Sequence, residues 1–463
     1  MSFLVALAAL CLLMFVAYRG FSVILFAPLA ALLAVLLTDP SAVLPVYSGL
    51  FMEKMVGFLK NYFPVFMLGA VFGKLIELSG FSKSIVAAVI RLAGPARAII
   101  SIVLVCNILT YGGVSLFVVV FAVYPFAAEA FRQADIPKRL IPGTIALGAF
   151  SFTMDSLPGT PQIQNIIPTT FFKTTAYAAP WLGTLGSMFI FAAGIAYLTW
   201  RMRAARAAGE GYGTAHVQEP VAVPDDISVH PLVAILPLLI VGVLNKVFTN
   251  ALPHVYGDGV TIALAGLAAP ITQRTAPIIA VWALELALLA GILSVIALGY
   301  RGLRGRFADG SREAIAGALL AAVNTASEYG FGGVIAALPG FLVIKDALAA
   351  IPNPLVNEAV SVTTLAGVTG SASGGMSIAL AALSGQFIAA ADAAHIPMAV
   401  LHRVAAMASG GMDTLPHNGA VITLLAVTGL THRQSYTDIF AITCIKTAAV
   451  FVVIGLYYAF GIV

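Results

Sequence analysis

Met154-Asp155-Ser156-Leu157-Pro158 and Met412-Asp413-Thr414-Leu415-Pro416 are two copies of one string, and each interrupts a long apolar stretch with a carboxylate, a hydroxyl and a proline. A carboxylate and a broken helix inside a bilayer both cost free energy. A chain that keeps the same costly break in each half reads as a membrane transporter.

Composition supports the membrane setting. The chain has 463 residues, 60% of them hydrophobic and 10% charged, and its mean hydropathy is +1.00. Apolar runs of roughly 16–23 residues match the length of a transmembrane helix; they include Phe3–Ala17, Phe21–Leu37, Pro231–Phe248, Pro277–Leu298 and Ile439–Ile462. No alternating, strand-length segments suggest a β-barrel. The first run lacks a basic leader region and a small-residue cleavage site, so it reads as a retained helix. Cys11, Cys106 and Cys444 are isolated in apolar segments, which indicates neither a disulfide framework nor a zinc site. The net charge of +4 comes from a few basic loops; it bears on topology and leaves no patch for nucleic acid.

From Asp155 to Asp413 the offset is 258 residues. The same register brings Thr110-Tyr111-Gly112-Gly113-Val114-Ser115 beside Thr369-Gly370-Ser371-Ala372-Ser373-Gly374, and a two-residue shift pairs Ala134-Asp135-Ile136-Pro137 with Ala394-His395-Ile396-Pro397. Three matches in one order indicate an internal duplication. The least hydrophobic stretch, 201–230, lies between the copies and reads as a cytoplasmic linker. The expected organisation is therefore a first repeat over 1–200, with scaffold helices in 1–80 and transport elements in 98–172. A second repeat follows over 231–463, with scaffold helices in 231–337 and transport elements in 356–428.

Loop charge orients the repeats. Arg201, Arg203 and Arg206 follow the last span of the first half, whereas Thr38–Tyr47 has no Lys or Arg; in the second half Arg301, Arg304, Arg306 and Arg312 occupy the counterpart of that uncharged loop. The positive-inside rule then makes the repeats oppositely oriented, with both chain ends external. Crossings close in parity if about Tyr62–Leu78 and Ala314–Ala337 are spans. Ala98–Phe131 and Val356–Ala391 are then re-entrant hairpins with tips at Tyr111-Gly112-Gly113 and Gly370–Gly375, and Leu140–Phe172 and Met398–Val427 are broken helices. Gly259–Ile271 does not fit a span and is expected to be a short interfacial helix or an insertion. The expected fold is an all-α polytopic membrane protein of two inverted repeats.

Non-helical backbone at membrane depth survives only where protein or a water-filled cavity satisfies it. Two hairpin tips and two broken helices bring four sets of partly charged helix ends to one place, suited to a carboxylate beside a cation. Tyr111, Gly112, Gly113, Ser115, Ser156 and Thr160 of the first half, with Thr369, Gly370, Ser371, Ser373, Thr414, His417 and Asn418 of the second, are the candidate substrate residues. Asp155 and Asp413 are the carboxylates at the breaks and the candidates for cation coupling, to H+ or Na+. An Asp before Ser-Leu-Pro also suits a helix N-cap, and the two roles can coexist. Glu328, Tyr329 and Asn324 read as interhelical hydrogen bonding, Lys74 and Glu77 as a pair at a helix end, and Gln162, Gln164 and Asn165 as facing the cavity. No cofactor is expected. Against an intramembrane enzyme stands the absence of H-E-x-x-H, G-x-G-D or a Ser/His pair; a passive channel is the other alternative.

Phe66-Met67-Leu68-Gly69-Ala70-Val71-Phe72-Gly73-Lys74-Leu75, Leu109-Thr110-Tyr111-Gly112-Gly113-Val114-Ser115-Leu116-Phe117 and Met154-Asp155-Ser156-Leu157-Pro158-Gly159-Thr160-Pro161 resemble the gluconate permease (GntP) family of the ion transporter superfamily, and within it the D-3-hydroxybutyrate permease branch. The likeness runs over nearly the whole chain. Gluconate permeases proper carry Pro-Pro-His-Pro-Gly-Pro where this chain has Leu157-Pro158-Gly159-Thr160-Pro161, a departure that favours a smaller, less hydroxylated acid. The resemblance implies uptake of an organic acid anion with protons across a bacterial inner membrane, by a homodimer with a fixed scaffold and an elevator-like moving unit. A sugar acid, or a di- or tricarboxylate taken up with sodium, is the alternative within the same superfamily.

Overall fold

A computed structural model describes residues 2–19, 21–94, 97–114, 116–213, 219, 229–266, 269–343, 350–416 and 418–463. It is a polytopic all-α membrane protein. Among the described residues six helices are long and apolar enough to cross a bilayer: 40–78, Pro180–Ala207, Pro231–Tyr256, Ile279–Leu303, Ala372–Ala393 and His432–Phe460.

The chain opens with α1 (Ser2–Tyr18) and α2 (Val23–Thr38). Asp39 then caps a tight turn by accepting from Ser41 N, and a π-helical turn over Val46–Phe51 leads into α3 (Met52–Leu78). That helix starts ten residues before the expected Tyr62. Helix α4 (Phe81–Ala93) runs to the hairpin of α5 (Ala98–Tyr111) and α6 (Leu116–Gln133), whose tip carries Gly113 at φ +95°. The next crossing is broken twice, into α7 (Ile141–Ala149), the single turn α8 (Phe152–Asp155) and α9 (Ile163–Phe172). Helix α10 (Pro180–Ala207) closes the first half.

The second half also leads through long helices to a hairpin and a broken segment. Helices α11 (Pro231–Tyr256), α12 (Ile279–Leu303) and α13 (Phe307–Ala337) precede a hairpin of α14 (Pro354–Thr369) and α15 (Ala372–Ala393). Its local chemistry is explicit: Asn353 caps Val356 N, Pro354 opens the helix, Gly370 closes it at φ +67° and Ser371 caps Gly374 N. The reversal therefore occupies only Gly370 and Ser371, and Gly374 and Gly375 belong to the helix that follows. The second broken crossing consists of α16 (Met398–Gly410), a 3₁₀ turn over Gly411–Thr414 and α17 (Gly419–Thr428). The chain ends in α18 (His432–Phe460), which starts on a Thr431/Gln434 capping box.

Two expectations are corrected. The segment after α11 is not an interfacial helix: β1 (Gly259–Ile262) and β2 (Ile271–Arg274) pair antiparallel, with Gly259 opposite Arg274 and Ile262 opposite Ile271. Strands four residues long with exposed faces carry too little periodicity to be read from sequence. The expected linker at 201–230 begins as helix, because α10 continues to Ala207.

Helix packing forms two groups that α15 joins. Helix α3 lies along α13 and α12, α12 along α11, and α2 along α13. In the second group α5 packs on α7, α9 and α14 on α16, and α7 and α10 on α18, while α15 touches both α14 and α13. Beyond Ala207 the chain docks back: Glu210 accepts from Arg139 at 2.7 and 2.8 Å, and Glu219 accepts from Lys138 at 3.0 Å and Arg132 at 2.5 Å. Beneath this layer Asp438, at the start of α18, accepts from Arg139 at 3.2 Å, Arg201 at 2.6 Å and Tyr197 at 2.9 Å. The buried carboxylate ties α10, α18 and the entry to α7 together. Asp438→Ala leaves two guanidinium groups without their shared partner, and because those groups are partly solvated the expected loss is about 2 kcal/mol. The measurement is thermal unfolding of purified protein in detergent, with Glu77→Ala, at a half-exposed helix-end pair, as the near-neutral control.

Candidate functional site

The first break is built on a short course of irregular chain. Helix α7 ends when Phe150 leaves helical geometry, Ser151 adopts φ −129° and ψ −132°, and its hydroxyl turns back to Leu147 O. One further turn carries Asp155 on its last residue. Asp155 therefore does not open the next helix; α9 starts at Gln162, whose side chain makes no cap. Asp155 Oδ1 accepts from Ser156 Oγ at 2.6 Å, while Oδ2 has no hydrogen bond and faces Lys446 Nζ of α18 at 3.5 Å.

Lys446 and Arg403 hold the ends of the broken helices. Lys446 Nζ donates to Phe150 O at 2.6 Å and to Gly410 O, which are the last carbonyls of α7 and α16. Arg403 of α16 donates through Nη1 to Asp155 O at 2.7 Å and Asn165 Oδ1 at 3.1 Å, and through Nη2 to Ala178 O at 2.7 Å. Both side chains are almost fully buried. A cation at a helix C-terminus meets the negative end of the helix dipole; Lys446 is matched by carbonyls and the Asp155 carboxylate, and Arg403 by carbonyls and the Asn165 amide oxygen. His402 adds Nε2 to Asn165 Oδ1 at 3.2 Å and Nδ1 to Thr174 Oγ1 at 2.6 Å.

The second break uses its carboxylate differently. Asp413 Oδ1 accepts from Ala372 N at 2.9 Å and Asn418 Nδ2 at 3.3 Å, and Oδ2 accepts from Gln164 Nε2 at 2.9 Å. Asp413 thus caps a helix, though it is α15 of the hairpin; its own following helix is capped by Asn418, which accepts from Ala420 N at 2.7 Å. Asn418 also donates to Gly370 O at 2.8 Å, joining the hairpin tip to the break. Glu328 of α13 reaches the same helix start, with its carboxylate lying where a Cβ on Gly374 would be.

Ser156 donates to Asp155 in the first motif, while Gln164, on the helix that follows that motif, donates to Asp413 of the second, which also accepts from Asn418. Tyr111 joins the first break by donating to Pro158 O at 2.9 Å; Gly112 and Gly113 pack at the tip against Leu238 and Pro161. Thr160 Oγ1 is buried in that break with no partner, as are Thr110 Oγ1 and Gln164 Oε1. Thr369 and Ser371 satisfy the hairpin tip, Thr369 Oγ1 donating to Ser371 O at 3.2 Å, with Ser373 Oγ 3.5 Å from Ser371 Oγ. Thr414 Oγ1 lies 2.6 Å from Thr443 Oγ1 of α18. Ser115 and His417 lie outside the described residues.

The sequence reading missed Lys446, Arg403 and His402. A signal existed for each, since an ionisable residue deep in an apolar helix marks a site. Gly410 shows how close the packing is: a Cβ there would overlap the Asp155 carboxylate. Gly410→Ala is expected to cost about 1–3 kcal/mol of stability from overpacking, read as a lower Tm in detergent, whereas Gly385→Ala, with open space around it, leaves Tm within error or raises it.

Broken helices meeting at buried charges, within a chain of membrane-spanning helices, define a multi-pass membrane protein with an internal polar centre. Over its whole length the chain is 58% identical, across 472 aligned positions, to the uncharacterized transporter YxjC of Bacillus subtilis (strain 168), 100% of each chain being covered. It belongs to that transporter's family. The fold is similar to the crystal structure of the Alcanivorax borkumensis YdaH transporter, described as having an unusual topology, with a TM-score of 0.54, 14% identity and coverage of 89% of this chain and 88% of that one. No family model matches the sequence.

Proposed function

We propose that this transporter imports a small organic acid anion, 3-hydroxybutyrate or a similar short hydroxy acid, together with a cation, the proton before sodium. On this reading it is a permease similar to the gluconate permease family, a homodimer in a bacterial inner membrane with both chain ends outside. Two oppositely oriented repeats supply a fixed scaffold and an elevator-like moving unit, and the charged centre between the broken helices is the substrate and coupling site.

One observation carries the reading. Thr110 Oγ1, Thr160 Oγ1 and Gln164 Oε1 are buried around the first break without a partner. An unmet polar group of this kind costs about 1–3 kcal/mol, a cost that a hydroxylated ligand bound there would offset. The surrounding charge suits an anion, because the Arg403 guanidinium lies at the same break, held by carbonyl and amide oxygens. The second carboxylate suits coupling: Asp413 holds the hairpin helix α15 to Gln164 of the other half, so a cation or proton arriving at Asp413 would loosen or re-form the contact between hairpin and break.

Two variants test it in proteoliposomes. Asp413→Asn is expected to lower gradient-driven uptake of labelled 3-hydroxybutyrate by more than about tenfold, the scale of losing a charged hydrogen-bond acceptor. Uptake by Asp413→Asn at the wild-type rate, with no dependence on a proton or sodium gradient, sinks the coupled mechanism; lack of saturation and of counterflow exchange would indicate a passive pathway. Thr160→Val removes an unpartnered hydroxyl, so it is expected to hold or raise Tm while raising KM severalfold. An unchanged KM removes Thr160 from the site.

A further inference from the structure

We propose that Lys446 is a tethered cation, its ammonium occupying a monovalent-cation site formed by Phe150 O, Gly410 O and Asp155 Oδ2. The three oxygens come from both halves of the chain. Phe150 and Gly410 supply the carbonyls at the broken ends of α7 and α16, and Asp155 supplies a carboxylate oxygen that has no hydrogen bond. Two C-terminal carbonyls and a carboxylate are the oxygen set with which broken transporter helices hold an alkali cation. Here a side chain fills the position from a neighbouring helix, and Lys446 and Asp155 are each about 1% exposed.

The geometry is one-sided. At the 258-residue offset the counterpart of Lys446 is Met188, which is apolar and lies on the exposed side of α10. Among the described residues no cationic side chain is bonded to Asp413; its oxygens accept from an amide of the backbone and from the side-chain amides of Gln164 and Asn418. Lys446 thus forms an ion pair with Asp155, whereas it acts on Asp413 only through space. Resting on the coupled-transport reading above, the consequence is that Asp155 carries no mobile ion and that coupling runs through Asp413 alone, one cation per cycle.

The test reads binding separately from transport. Purified wild type, Lys446→Ala, Lys446→Ser and Asp155→Asn/Lys446→Ala are compared by thermal shift in sodium chloride against choline chloride at equal ionic strength. Emptying the site is expected to create a sodium response, so Lys446→Ala and Lys446→Ser gain several degrees of Tm in sodium beyond any wild-type shift. The double variant loses that gain. A single variant that is folded only when sodium is present gives the same support, because the cation replaces the ammonium. The proposal is overturned if both single variants show no sodium gain, whether folded in both salts or in neither, or if the double variant gains as much as they do. Failure of 3-hydroxybutyrate uptake by wild type would overturn the substrate reading and leave the sodium comparison standing.

Discussion

A helix that stops inside a bilayer leaves carbonyls or amides that water cannot reach, and the whole centre of this protein is arranged around supplying their partners. The C-terminal ends of α7 and α16 take Lys446, the carbonyls of Asp155 and Ala178 take Arg403, and the N-terminal end of α15 takes Asp413. Cations meet carbonyl ends and an anion meets an amide end, as the helix dipole requires. Each charged side chain is thereby paid for twice, by its helix end and by an opposite charge or amide nearby. The breaks could not persist without these residues, nor could the charges be buried without the breaks.

The same principle explains what the sequence made legible. The twin motif, the glycines at the hairpin tips and the prolines after Asp155 and Asp413 are local signals, and both helix-turn-helix hairpins and both helix interruptions lie where those signals placed them. Helix ends were less accurate: α3, α11 and α13 all run past the apolar cores that announced them. The partners of the breaks were not legible, because they are contributed at long range. Lys446 is 296 residues from Phe150, and Arg403 is 248 from Asp155. Periodicity reports a helix and its apolar face; it does not report which carbonyl across the molecule a lone lysine will meet.

Capping and charge pairing turn out to be distributed between the two copies of the motif. Asp155 closes a single helical turn and faces an ammonium, whereas Asp413 caps the hairpin helix through a backbone amide. Identical residues in matched positions have been given different chemistry by what packs on them. Thr414 shows the same divergence, since Ser156 bonds its own aspartate while Thr414 turns to Thr443.

The two breaks are joined through consecutive residues of α9. Gln164 donates to Asp413, and Asn165 accepts from Arg403 while its own amide holds Thr160 O and Ala176 O at 2.9 Å. A change in the hydrogen bonding of Asp413 therefore bears on the first turn of α9. From there it reaches Arg403 in one contact and the carbonyl of Asp155 in the next. With Thr160 in the same loop, a ligand that engaged the free hydroxyl would act on the same turn from the other side. On the proposed coupled mechanism, a coupling signal needs a path with two arrangements and few links, and this one is a single helical turn whose neighbours on both sides end in buried charge.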